Sequence, residues 1–340
     1  MVSLGCGCLG TRATCLGSDG KAQTLTRAIR FLRAGREPVV RDILRFAYLP
    51  DAEFTRAMET WFEKDSPDHM VAWDAVPIPE WARRFRPRVI FDLGCALGGA
   101  LVSILDRFGQ WGCLGDLEQV VMFDKDPNLH HQGVSGWQEA VKRRVAACLG
   151  QFQGTQAVVI PRLETLGIAS EGLAPLAGHY PPADLVVASH ITYFFGDGSG
   201  RELVEAVLAR HLRPTGLLWV NIRDMDCPVY RKRQEVYAAM GVEDPQPRDF
   251  SEYFADCVLP ELRGARLIDQ GRIAVNSRPG TDRTKVAELL MWRAFLDDSI
   301  EDVEPLRTAA REVGAAPGAL YGETQFIIAP AGRDTRSGAL

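Results

Sequence analysis

The chain has 340 residues, 46% hydrophobic and 24% charged, with a formal net charge of −5. That is an ordinary globular composition, with length for one large domain or one domain and an appendage. The acidic balance excludes the basic field that draws nucleic acid, and no run approaches the roughly 20 apolar residues of a membrane-spanning helix.

Residues 1–20 are rich in Gly, Cys and Ser and read as a disordered tail. Cys6, Cys8 and Cys15 crowd this tail, but no second cysteine pair or His cluster follows at zinc spacing, so no metal is expected. The segment lacks the charged and apolar halves of a leader peptide, which predicts a cytoplasmic protein with reduced thiols. Residues 21–86 repeat apolar positions with helical period (Leu25, Ile29, Leu32, then Phe54, Met58, Trp61, Phe62), cut into short helices by prolines. The arginine-rich run from Trp81 to Arg88 reads as a solvated face.

Strand and helix patterns then alternate over 87–330, which predicts an α/β sheet covered by helices. Strands are expected at Val89–Leu93, Gln119–Phe123, Ala157–Ile160, Leu185–Ser189, Gly216–Ile222, Arg266–Val275 and Thr324–Ile328. Helical insertions are expected at 228–263, as Val229–Met240 and Phe250–Arg263, and at 282–315, as Lys285–Asp297 and Asp302–Val313. Cys95, Cys113, Cys148, Cys227 and Cys257 fall in or beside these elements and are expected to be buried as small hydrophobes. Residues 331–340 read as a flexible tail.

The most informative stretch is VIFDLGCALG, from Val89 to Gly98. An apolar run of this kind is a buried parallel strand. Asp92, Gly94, Cys95 and Gly98 then form a D-x-G-x-x-x-G turn, in which the glycines let backbone approach a ligand closely. The spacing differs from the G-x-G-x-x-G that cradles a pyrophosphate, which argues against a nicotinamide-dependent oxidoreductase. The second strand ends in VVMFDKDP, with Asp124, Lys125 and Asp126. An acid there can hold both ribose hydroxyls, or it can cap the next helix. After the third strand, Arg162, Leu163 and Glu164 are candidates for an adenine contact or a plain surface loop. Ser189, His190 and Tyr193 sit at the carboxyl end of the fourth strand, where open α/β sheets bind ligands.

DLGCALG, VVMFDKD and DLVVASHITYFF resemble, in order and spacing, the class I S-adenosylmethionine (SAM)-dependent methyltransferases. More narrowly the chain is similar to the histamine N-methyltransferase group, through FTRAMETWFEKDSPDHM, LLMWRAFLDD and LYGETQFIIAP. The resemblance implies a Rossmann-like, doubly wound, seven-stranded, mostly parallel sheet with an antiparallel last strand, under an N-terminal helical lid. It implies SAM as cofactor, a small-molecule acceptor, and in-line methyl transfer, with an amine or heterocycle nitrogen as the expected target and a monomeric enzyme. O- or C-methylation of an aromatic natural product, and a catalytically silent binding module, are the alternatives.

In that group a lid carboxylate binds the substrate amine, and the matching position here is Asp68, beside His69. The group's substrate-binding Asn corresponds to Gly322, with Glu323 next to it. His190 stands where the group has a glutamine, and His190 or His69 is the expected proton acceptor. Phe54, Trp61, Tyr193, Tyr230 and Tyr237 supply an aromatic acceptor pocket or simple core packing.

Overall fold

The computed structural model describes residues 80–95, 98–124, 134–152, 157–162, 179–192, 200–226, 250–277 and 319–331, with isolated helical positions at 234, 238 and 308. The expected lid up to residue 79, the helix at 285–297 and both terminal tails lie outside the described residues, as do most of the helices at 229–240 and 302–313.

The described elements in chain order are β1 (Val89–Leu93), α1 (Gly99–Gln110), β2 (Gln119–Phe123), α2 (Val134–Leu149), β3 (Val158–Arg162) and β4 (Ala183–Ser189). There follow α3 (Arg201–Ala206), β5 (Leu212–Arg223), α4 (Ser251–Tyr253), β6 (Ala265–Ser277) and β7 (Ala319–Pro330). The strands form one seven-stranded sheet in the order β3-β2-β1-β4-β5-β7-β6. β1 through β5 pair in parallel, and β7 lies antiparallel between β5 and β6. This is the doubly wound sheet with an antiparallel last strand expected from the sequence.

β1 and β4 are buried along their whole length, as strands covered on both faces must be. One face packs Leu101, Ile104, Leu105 and Phe108 of α1 and Val141 and Val145 of α2 against Ile90, Val120, Val187 and Trp219. The other packs Leu203, Val204, Phe254 and Val258 against Phe91, Val186, Leu218 and Phe326. The chain leaves β1 toward β2 and β3, then returns to lay β4 on the opposite side of β1. The strand order therefore reverses between β1 and β4, the switch point outside whose strand carboxyl ends open α/β sheets bind ligands.

Differences from the sequence reading have local causes. β5, β6 and β7 run past the apolar cores expected for them, because ladder hydrogen bonds also tie their polar ends together. Arg162 is the last residue of β3, paired with Phe123, rather than part of the loop after it. The helix expected at Phe250–Arg263 is instead α4, a π turn (Phe254–Val258) and a 3-10 turn (Leu259–Glu261). Pro260 has no N–H to donate and ends the regular ladder there. That path keeps Phe254 and Val258 in the core and turns Cys257 outward, so Cys257 is exposed and not buried as expected.

Cys95, Cys113 and Cys148 are buried as expected, and Cys227 lies outside the described residues. Burial pushes the Cys148 thiol up to about 11, with Asp106 adding to the shift. Burial also raises Cys113, against the pull of Arg86, whose Nη1 lies 3.1 Å from its Sγ. Asp184 has a structural role the sequence did not reveal. Its Oδ2 accepts the N–H groups of Arg88 (2.8 Å) and Val89 (2.9 Å), and its Oδ1 pairs with Arg213 Nη1 at 3.0 Å. It thus pins the start of β1 to β4.

Candidate functional site

The carboxyl ends of β1, β2, β4 and β5 and the amino-terminal half of the antiparallel β7 are joined by a continuous set of contacts. Gly94 and Cys95 follow β1 and donate both backbone N–H groups to Phe123 O at the end of β2 (2.8 and 3.0 Å). Gly94 has φ +67, and a Cβ there would lie 2.4 Å from Ile191 Cδ1, just beyond β4. Gly98, at φ +80, caps the start of α1 without a side-chain hydrogen bond. Both glycines therefore occupy left-handed backbone, and at Gly94 the close approach itself requires the missing side chain. Asp92 is buried within β1, and Asp124 is buried immediately after β2.

His190 follows Ser189, the last residue of β4, and both are buried. Its φ is +55, and among the described residues it is the non-glycine with positive φ. Histidine is one of the residue types that tolerate this region, and such strain collects at functional sites. His190 N–H donates to Asn221 O at 2.9 Å, which ties the turn to β5. Its Nε2 lies 3.2 Å from Glu323 Oε2 on β7, and both side chains are 1% exposed.

Glu323 gathers a second set of partners. Asn221 Nδ2 donates to Oε2 at 2.6 Å, and Arg223 Nε stands 3.8 Å from Oε1. A carboxylate in so dry a place is tolerable only when paired and hydrogen-bonded. The side-chain period of two explains the grouping. Asn221 and Arg223 on β5 share a sheet face with Glu323 and Gln325 on β7, to which the register pairs them. Ser189 on β4 is in register with Asn221.

The opposite face carries a different cluster. Asp224 Oδ1 accepts Ser251 Oγ (2.5 Å) and Thr324 Oγ1 (2.7 Å), and its Oδ2 accepts Arg272 Nε (2.6 Å). Arg272 also reaches Asp226 Oδ2 at 2.5 Å, and Asp226 Oδ1 accepts Gly322 N–H at 2.7 Å. The hydrogen bond to Asp224, then the charges of Asp224 and Asp226, raise the Arg272 guanidinium above its ordinary value. A Cβ on Gly322 would lie 2.1 Å from Asp224 Oδ2 and 2.5 Å from Arg272 Nε. The position matched to the group's Asn thus faces this cluster and has no room for a side chain. Glu323, one residue on, is the residue that faces His190.

The structure brings together Asp92, Gly94, Cys95, Gly98, Asp124, Ser189, His190 and Glu323 at the carboxyl end of the sheet. Phe54, Trp61, Asp68, His69, Lys125, Leu163, Glu164, Tyr193, Tyr230 and Tyr237 lie outside the described residues. Sequence reasoning missed Asn221, Arg223 and Gln325. Their signal was present as polar residues set into the apolar strands LLWVNIRD and GETQFII. No group of acids, histidines or cysteines fit to hold a metal ion occurs among the described residues, and none of their helices is long and apolar enough to cross a membrane.

No family model and no curated protein matches the chain. Among solved structures it is similar to a cyclopropane-fatty-acyl-phospholipid synthase-like protein from Lactobacillus casei, at 14% identity and TM-score 0.45, over 79% of this chain and 92% of that one. It is similar to YjhP from E. coli at 18% identity and TM-score 0.39, over 78% of this chain and 100% of that one. The plantazolicin methyltransferase BamL, solved with SAH, aligns at 13% identity and TM-score 0.33, over 94% of this chain and 97% of that one.

Proposed function

We propose that the chain is a SAM-dependent methyltransferase that acts on a nitrogen of a small-molecule acceptor. The observation that supports this best is the joined set of strand ends at the switch point. It sets a left-handed glycine turn and a buried acid beside a His–Glu pair. The donor set fits the cofactor. Gly94 and Gly98 hold left-handed backbone that glycine adopts most readily, and α1 begins with no side-chain hydrogen bond at its cap, so its first N–H groups are left for a ligand. Gly94, Cys95 and Gly98 would hold the methionine end, and Asp124 the ribose hydroxyls. When bound, SAM supplies a methyl group already activated on a sulfonium.

The protein's own task is to orient the acceptor, keep water out and remove a proton. Glu323 beside Nε2 favours the tautomer with its proton there, leaving Nδ1 of His190 as the basic nitrogen. When Nδ1 takes the acceptor's proton, the Glu323 carboxylate stabilises the imidazolium. This is the orienting role a carboxylate plays for histidine in catalytic triads. The turn at His190, with φ +55, is tied to β5 by its N–H to Asn221 O, and its ring meets Glu323.

Titration calorimetry with SAM and SAH tests the cofactor half. The intact protein is expected to bind both, and Asp124→Ala to weaken binding at least about tenfold, the loss of a charge-assisted hydrogen bond. Failure of the intact protein to bind either overturns the reading. Labelled SAM with a panel of amines, indoles and phenols tests the acceptor half. His190→Asn keeps a residue suited to positive φ and is expected to lower turnover about 10²-fold, with SAH affinity little changed. Equal losses of turnover and affinity would make His190 a cofactor contact.

A further inference from the structure

We propose that Asn221 and Gln325 recognise the acceptor through their amide oxygens. The acceptor is then a compound with several N–H donors on the reacting nitrogen or beside it: a primary amine or an amidine. This rests on the methyltransferase reading and names the substrate class for that site.

The two residues sit directly opposite each other on β5 and β7, so their side chains leave the sheet on one face. Both are 1% exposed. Asn221 has a fixed orientation, because its Nδ2 donates to Glu323 Oε2 at 2.6 Å and a flip would turn the amide oxygen onto a carboxylate. Its Oδ1 therefore points away from Glu323, and it has no hydrogen-bond partner. Gln325 lies over Gly271 of β6, where a Cβ would stand 3.0 Å from its Nε2. The glycine makes the room that the amide occupies. Gln325 Oε1 also has no partner.

Buried polar atoms are nearly always hydrogen-bonded, so two unfilled oxygens at neighbouring positions call for a specific reason. Here they adjoin a carboxylate, which accepts only, and a histidine assigned to accept a proton. Arg223 on this face stands by Glu323, and what the two amide oxygens add is acceptor capacity, whose complement is a donor. A phenol has one O–H and gives it to the base. A primary amine still has N–H groups to place on the two amides.

The test is calorimetry on the SAH-loaded protein with matched probes. These are phenethylamine against its N,N,N-trimethylammonium counterpart, and benzamidine against its N,N,N′,N′-tetramethyl counterpart, each of which keeps the charge and removes the donors. The N–H member of at least one pair is expected to bind at least about tenfold tighter, as a site with buried partners rejects analogues that lack the donor. Gln325→Met, near in volume, is expected to cut that preference to roughly threefold or less while SAH affinity holds, because one acceptor is gone. No preference in either pair, or no binding of any probe by the SAH-loaded protein, overturns the proposal without using a variant. A protein that fails to bind SAH removes the methyltransferase reading, and this proposal falls with it.

Discussion

The carboxyl end of β5 and the first half of β7 carry two polar clusters set back to back, one on each face of the sheet, and the two are completed differently. On the Asp224 face the groups answer one another. Two hydroxyls and a guanidinium meet one carboxylate, and the second acid takes a second guanidinium nitrogen and a backbone N–H. On the Glu323 face the carboxylate is also held, by Asn221 and His190, but the amide oxygens of Asn221 and Gln325 are not used. Both clusters are centred on a buried carboxylate between β5 and β7. A cluster that closes on itself fastens the fold, and one that keeps spare capacity is built to meet something else.

The largest effect should come from breaking the closed cluster. Asp224→Ala removes the acceptor for three donors at a buried position. It is expected to cost about 3–5 kcal/mol, the range for stripping one partner from a buried charged network, read by urea unfolding. SAH affinity below the unfolding transition should hold. Lost affinity with stability intact would reverse the roles given to the two faces. Gly322→Ala should fall in the same direction, since its Cβ would meet the Asp224 carboxylate.

Glu323→Gln probes the open face and should show the opposite balance. The amide keeps the size of the side chain and loses the charge that stabilises a protonated His190. Turnover is expected to fall about 10²-fold, the lower end for losing general-base assistance, while stability moves by about 1 kcal/mol, one hydrogen bond's worth. A large stability loss with turnover unchanged would make Glu323 a second fastener.

The two ends of the candidate site differed in how far the sequence disclosed them. β1 and β2 have the bounds expected, because unbroken apolar runs closed by an acid leave little choice of register. Gly94 and Gly98 were recognisable by spacing, and their left-handed backbone confirms the need for glycine. His190 was marked by its place after β4. Its partner Glu323 lies 133 positions later in the chain, and only the sheet order β4-β5-β7 brings the two together. Asn221 and Gln325 were harder still. A polar residue in a strand shows a face, but not whether its hydrogen bonds are filled, and that depends on the antiparallel register of β7. Asp224 and Gly322 were opaque for the same reason: the resemblance pointed at residue 322, and the alternation of the strand turns it away from His190.

The smallest expected effect marks the outer limit of the closed cluster. Arg272 has a side chain 62% exposed although its partner Asp224 is 3% exposed. Water and ions screen an exposed pair, so its contribution is set by solvent more than by the short contact distance. Arg272→Met keeps the aliphatic stem against β7 and removes the charge. It should lower stability by about 0.5–1 kcal/mol, the upper range for exposed ion pairs, because the two hydroxyls still serve Asp224. The loss should shrink as salt rises, most of it gone near 1 M, where the Debye length is about 3 Å. A salt-insensitive loss as large as that of Asp224→Ala would place Arg272 inside the fastener, and the closed cluster would then extend to the edge strand β6.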